Sequence, residues 1–208
     1  MNAGAAVSEL DRGLVDYFAG QYVLAIRAFD RYLLNADETH DGTAHYYKAL
    51  ALRAIGSPES ARDEFDVLIE THATADPFWD DAWDEKGYTQ WAFLGDYEAA
   101  IETFLGFTAR VPGHARAGEF LFFAAQVTER DGQLGRAAQL WERVPDEYPT
   151  HPLAYRARFL AGVAQYRLGK HGPAQGNFER ALELAATPSE QAAATLWVGK
   201  TQVALGFP

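Results

Sequence analysis

The sequence predicts an all-α solenoid of stacked helical hairpins, because three residue classes share one long period. Glycine recurs as Gly20, Gly56, Gly95, Gly132, Gly169 and Gly206, at gaps of 36, 39, 37, 37 and 37 residues. Five residues after each of the first five comes alanine: Ala25, Ala61, Ala100, Ala137 and Ala174. Four further on comes an aromatic: Phe29, Phe65, Phe104, Trp141 and Phe178. A fixed period of this length is the mark of a repeat architecture. Each class has a physical role in a helical hairpin. Glycine tolerates the left-handed conformation that closes a helix. Alanine lets two helix backbones approach, and the aromatic one turn later fills the space between them.

A second small residue stands seven positions before five of these glycines, at Gly13, Ala49, Ala125, Gly162 and Gly199, and only the third unit departs, with Tyr88. The clearest unit runs from Ala154 to Leu182. Its first helix carries Phe159, Ala161, Gly162, Val163 and Tyr166 on the side to be covered, and its second carries Ala174, Phe178, Ala181 and Leu182. That is the spacing of a buried helical face.

The boundaries follow in chain order. Five full repeats are expected at about 6–40, 42–75, 77–114, 118–150 and 152–187, with the first helix of a sixth at 189–206. Ser57-Pro58 and Gly172-Pro173 open second helices, and Pro112 and Pro149 fall between units. Asp76-Pro77 is expected to be an N-cap with a first-turn proline, ahead of a helix beginning FWDDAW. Thr187-Pro188-Ser189-Glu190 has the T-x-x-E capping-box pattern. No linker or low-complexity stretch interrupts the row, so about eleven helices form a single array. The sixth unit reaches Gly206 without its second helix, which leaves an apolar flank to cover; the expectation is a portion of a longer protein.

Bulk properties narrow the function classes. The 208 residues are 48% apolar and carry a net charge of −11, which argues against nucleic acid or an acidic membrane surface as partner. Without cysteine there is no disulfide and no thiolate metal site. No apolar run is long enough to span a bilayer. The opening MNAGAAVSEL lacks a positive n-region and a long apolar core, so it is not a signal peptide, and export would need a signal outside this sequence.

The G-x-Y-x-x-A-I-x-x-F run at Gly20–Phe29 and again at Gly95–Phe104 resembles the tetratricopeptide repeat, or TPR. The likeness extends from about Ser8 to Gly206, with departures at Pro58 and Leu134 and with units longer than the family's usual ones. It implies a right-handed α-α superhelix with a concave binding face. A narrower resemblance covers Tyr148 to Gly206. Tyr148-Pro149, Ala161-Gly162, Tyr166-Arg167-Leu168-Gly169, Leu196-Trp197, Gly199-Lys200 and Ala204-Leu205-Gly206 are similar to the helical superhelix of soluble lytic murein transglycosylases. That resemblance implies a cell-envelope, periplasmic or extracellular protein whose non-catalytic scaffold supports a separate domain acting on peptidoglycan. The alternative is a stand-alone adaptor, cytoplasmic or envelope-associated, that binds peptides or proteins in its groove.

No catalytic set, cofactor site or metal site is expected. Glu59-Ser60 lies in the first turn of a repeat helix, where glutamate suits the helix dipole. Asp76, Asp80, Asp81, Asp84 and Glu85 have no EF-hand spacing and read as a solvated helix start. His40, His45, His72, His114, His151 and His171 are scattered, without the i, i+4 pairing of a metal site. Trp79, Trp83 and Trp91 share a helix face and read as packing, not as a sugar-stacking platform. The candidates for binding are the first-helix residues that the repeat register projects onto the concave face: Tyr17, Tyr46, Arg53, Phe122, Gln126, Arg130, Arg156, Phe159, Tyr166, Arg167 and Lys200. The five cations among them suit an acidic peptide, a chain terminus or acidic muropeptide. Arginines covering packed aromatics would look the same from sequence.

Overall fold

The computed structural model describes residues 3–34, 41–72 and 74–207, with side chains from residue 9 onward. Eleven α-helices and no strand occur among the described residues. They are α1 (Ala3–Phe18), α2 (Tyr22–Leu33), α3 (Asp41–Ala54), α4 (Pro58–Thr71), α5 (Trp79–Ala92), α6 (Tyr97–Arg110), α7 (Ala117–Arg130), α8 (Leu134–Glu147), α9 (Ala154–Arg167), α10 (His171–Leu184) and α11 (Pro188–Ala204). Two compact units form, Met1–Ala100 and Ile101–Pro208, and the division falls inside α6. The repeat edge expected at His40 lies outside the described residues, as does Pro208.

All six periodic glycines have positive φ, from 68° to 86°. The turn they close is a Schellman motif. In the first repeat Gln21 N donates to Asp16 O at 2.8 Å, and Gly20 N to Tyr17 O at 2.9 Å. Ser57 to Leu52, Gln133 to Thr128 and Lys170 to Gln165 repeat the longer bond. After α5 the bond runs instead from Asp96 N to Gln90 O, one residue wider, which takes up part of the long second period, from Gly56 to Gly95.

In the first unit, Leu10, Phe29, Tyr32 and Ala25 pack between α1, α2 and α3. Gly13 is required there, because a Cβ would lie 2.5 Å from the Phe29 ring. Phe65, Leu68 and Ile69 of α4 are buried, and Trp79 Nε1 donates to Ile69 O at 3.2 Å. In the second unit Phe107 stacks on Phe120 at 3.9 Å between ring centroids. Ala137, Trp141, Ala174 and Phe178 are buried in the two complete hairpins that follow. A Cβ at Gly162 would lie 2.7 Å from Phe178, so α9 and α10 approach as α1 and α2 do.

Several boundary expectations are met and others move. The capping box forms, with Glu190 N donating to Thr187 Oγ1 at 3.2 Å and Thr187 N to Glu190 Oε2 at 2.9 Å. Asp76 does not cap α5. Its Oδ1 accepts from Phe78 N at 2.9 Å in a turn, and the helix starts later, at Trp79. Gly172-Pro173 lies inside the first turn of α10, which opens at His171, and Leu182 is partly exposed. Pro145 sits inside the last turn of α8.

Candidate functional site

The projected binding face divides into two sectors. Placed on one helical wheel by repeat register, Gln126, Arg130, Arg156, Arg167 and Lys200 fall within about 40°. Tyr17, Tyr46, Arg53, Phe122, Phe159 and Tyr166 lie roughly 80–100° round from Arg167. This second group turns toward neighbouring helices, so most of it is packing and not groove surface. Tyr46 stacks on Phe78 at 4.6 Å and meets Phe65 edge-on at 6.0 Å. Burial pushes its phenol pKa up, and that of Tyr17 likewise. Tyr17 packs edge-on against Tyr47 at 5.1 Å. Phe122 is only 2% exposed, which removes it as a groove residue, and its ring faces Trp141. Phe159 meets Phe178 at 5.4 Å, and Tyr166 meets Trp197 at 5.4 Å.

Arg53 is also spent within the fold. Its Nη1 pairs with Glu85 Oε2 at 2.6 Å and donates to Thr89 Oγ1 at 3.0 Å. The guanidinium lies 5.1 Å from the Tyr88 ring and 5.3 Å from Phe93. Tyr88, at the place where other units carry a small residue, therefore turns outward beneath a cation.

The remaining basic strip lies on α7, α9 and α11 of the second unit. Arg130, Arg156, Arg167 and Lys200 are exposed, and Gln126 is half-buried. Arg156 of α9 covers the Phe122 ring of α7 at 5.5 Å, and Arg167 Nη1 donates to Glu129 Oε1 at 2.8 Å. These contacts tie α9 side by side to α7. Lys200 Nζ sits 4.5 Å over Trp197, whose ring meets Phe159 and Tyr166 of α9. Arg130 makes a side-chain interaction of its own. The strip thus combines two cations held over aromatic faces, Arg156 and Lys200, with acidic residues beside them: Glu129, which pairs with Arg167, and Glu119, which stands on α7 at the register of Arg156 and pairs with Arg116. Its four exposed cations give this sector a more positive local charge than the chain's net −11. It contains no nucleophile–base pair.

The acidic cluster at the start of α5 is less solvated than its sequence implies. Asp80 and Asp81 do occupy the first turn, yet Glu85 pairs with Arg53 and Asp76 lies 3.5 Å from His72 Nδ1. Among the described residues no group of three or more His, Cys, Asp or Glu side chains could hold a metal ion. Trp79 and Trp83 are buried, and Trp91 packs edge-on to Tyr88 at 5.4 Å. Glu59 is exposed in the first turn of α4.

Two polar networks went unseen in the sequence. Arg158 is 4% exposed and links α8 to α10, through Asp146 and through Asn177 Oδ1 at 3.4 Å. Asn177 Nδ2 in turn donates to Glu142 Oε1 at 2.7 Å. The signal was available, since Arg158 stands four residues before Gly162, on the face that must be buried. In the first unit Glu64 lies 2.7 Å from His45 Nδ1 and 2.6 Å from Lys48 Nζ, and Lys48 also reaches Asp30 at 2.8 Å. Burial works to raise the Glu64 pKa, but hydrogen bonds from His45 and Lys48 outweigh it and hold the carboxyl below its ordinary value. The stability it contributes is therefore present above pH 4.5, the ordinary value, and is lost as pH falls through the lowered one. Glu64→Gln is expected to cost about 2 kcal/mol at pH 7. It should also flatten the acid-side decline of the melting temperature below about pH 4.5, followed by circular dichroism.

The comparisons with known proteins bear on the family and the fold. The family profile of the tetratricopeptide repeat matches residues 10–78 and 92–152, more than half of the chain. The chain belongs to the tetratricopeptide-repeat family. A TPR-repeat protein from Bacteroides fragilis superposes with a TM-score of 0.66 at 15% identity, covering 95% of this chain and 98% of that one. MamA from Desulfovibrio magneticus gives 0.55 at 20%, covering 86% and 94%. YrrB, described as a TPR protein with an unusual peptide-binding site, gives 0.54 at 16%, covering 91% of each chain. At such identities these likenesses establish the fold alone. No curated protein matches the sequence.

Proposed function

We propose that the chain is a non-catalytic TPR adaptor that binds an acidic segment of a protein or peptide along the α7–α9–α11 strip. The observation that carries this reading is the gathering of Arg130, Arg156, Arg167 and Lys200 in one exposed sector of a chain whose net charge is −11. A local group of four exposed cations on an acidic chain attracts anionic partners at that place more than the rest of the surface does. The description of YrrB as a peptide-binding TPR protein supports the class of partner.

The test is binding of a fluorescent glutamate-rich peptide to the wild-type chain and to the triple variant Arg130→Glu, Arg156→Glu, Arg167→Glu. All three side chains are exposed, so the variant is expected to fold. The adaptor reading predicts at least about tenfold weaker binding in the variant and weakening with salt in the wild type. Equal binding by both proteins would contradict it. The narrower reading, the scaffold of a transglycosylase-like cell-envelope protein, rests on the resemblance of Tyr148–Gly206. It predicts co-sedimentation with insoluble peptidoglycan that the same triple variant abolishes.

A further inference from the structure

Three junctions between repeats close with the same turn, and the side chain at its head holds it. Asp76, His114 and His151 stand three residues before α5, α7 and α9. The carbonyl of each accepts from the residue three further on: Trp79 N at 3.2 Å, Ala117 N at 3.0 Å and Ala154 N at 2.9 Å. The side chain of each accepts from the residue two further on. Asp76 Oδ1 receives Phe78 N at 2.9 Å, His114 Nδ1 receives Arg116 N at 3.3 Å and His151 Nδ1 receives Leu153 N at 3.2 Å. A backbone N–H can only donate, so in both imidazoles Nδ1 is bare and the ring is neutral, with its proton on Nε2.

His151 also ties its turn to the helix before it. A Cβ at Gly118 of α7 would lie 3.0 Å from the Cγ and Cδ2 of His151 and 3.2 Å from Tyr148 Cβ, so the half-buried ring is seated against the start of α7. The charged groups on the surrounding helices are matched among themselves. Glu119 pairs with Arg116 at 2.8 Å, Glu147 with Arg143 at 2.6 Å and Asp146 with Arg158, while Arg156 covers Phe122. Burial pushes the Tyr148 phenol pKa up, so that neighbour stays uncharged. Among the described residues no carboxylate pairs with His151. In the first unit, by contrast, His45 faces Glu64 at 2.7 Å and His72 faces Asp76 at 3.5 Å.

We propose that His151 is a pH-sensitive latch, whose protonation releases the Leu153 amide and loosens the α8–α9 turn from the start of α7. Imidazole is the side chain that titrates between about pH 5 and 8. Once protonated, Nδ1 presents a hydrogen to the Leu153 N–H, and two donors face each other. Turning the ring over offers Cδ2–H instead, which accepts nothing. The new charge also sits at the N-terminal end of α9, the positive end of its dipole. Both effects have one sign. The fold favours the neutral ring and binds fewer protons here than the unfolded chain, so the turn is firm above the imidazole titration and weakens as pH falls through it. Asp76 holds its turn without this response, because a carboxyl keeps an acceptor oxygen in either protonation state. The latch concerns how the fold answers to acid, and it stands apart from the adaptor reading.

The test is amide hydrogen exchange of the whole chain, followed by NMR at about pH 7.5 and about pH 5.5, on either side of the imidazole titration. Protection factors remove the intrinsic effect of pH on exchange. Protection of the Leu153 and Ala154 amides is expected to fall roughly fivefold on acidification, the scale of one lost helix cap. His151→Asn keeps a side-chain acceptor that does not titrate, so protection should stay constant. His151→Ala removes the acceptor and should be poorly protected at both pH values. At the higher pH, the ring nitrogen shifts of the wild type should place the proton on Nε2. Four results overturn the latch: wild-type protection that does not change, a decline that survives in His151→Asn, full protection in His151→Ala, or a ring proton on Nδ1.

Discussion

Ala174→Arg is expected to destabilise the protein by about 4 kcal/mol or more and to open the α9–α10 hairpin. Ala174 is fully buried where the start of α10 crosses α9. Arginine there must either push the helices apart or bury a guanidinium without a partner. Overpacking alone costs about 1–3 kcal/mol, and an unpaired buried charge costs several more. Ala137→Arg should do the same to α8, since Ala137 holds the equivalent place and is equally buried. In a repeat array each unit leans chiefly on its neighbours, so the damage should be local. Hydrogen exchange would show this as lost protection in α9 and α10 with α1–α4 retained. Unchanged thermal unfolding in both variants would contradict the register.

Phe178→Ala is expected to cost about 4 kcal/mol, by emptying the slot that the ring fills. Phe178 is fully buried and joins α10 to two other helices, α9 and α11. It meets Phe159 of α9 at 5.4 Å, stacks on Trp197 of α11 at 5.1 Å, and closes over Gly162. The loss should therefore reach α11, whose Trp197 would move to a wetter environment and show red-shifted fluorescence. A cost below about 1 kcal/mol, the scale of one buried methylene, would mean that the ring does not hold the hairpin together.

Much of the fold was legible because it rests on glycine conformation and residue size, which single letters report. Gly20, Gly56, Gly95, Gly132, Gly169 and Gly206 all have the positive φ their spacing implies, and the five periodic alanines are fully buried. Boundaries set by side-chain hydrogen bonds were less legible. Thr187 and Glu190 form their box, whereas Asp76 caps a turn and leaves α5 to begin at Trp79.

The candidate site was legible in part, and the reason is angular. A register names the positions that share a helix, but a rotation of about 80–100° separates a side chain facing a neighbour from one facing solvent. Phe122 and Arg156 were projected onto one face, and they do touch, yet the ring is buried and the guanidinium covers it. Arg53 and Arg167 were grouped as cations, yet Arg53 is held by Glu85 and Thr89 while Arg167 reaches Glu129 at the surface. Partner identities of this kind depend on residues 30 or more positions away, which no local period encodes.

The central claim is that one slot, a small residue facing an aromatic, recurs along the chain and is filled at Gly162 and open at Gly199. It is tested most directly by the unfolding midpoints of Gly162→Ala and Gly199→Ala, measured side by side. Both replace a glycine inside a helix with the best helix former, a gain of about 1 kcal/mol by propensity alone. At Gly199 the new methyl meets nothing, so that gain should appear as a higher midpoint. At Gly162 the methyl would lie 2.7 Å from the buried Phe178 ring, so overpacking should exceed the gain and lower the midpoint. Opposite signs are the predicted result. A shift of the same sign in both variants would contradict the account.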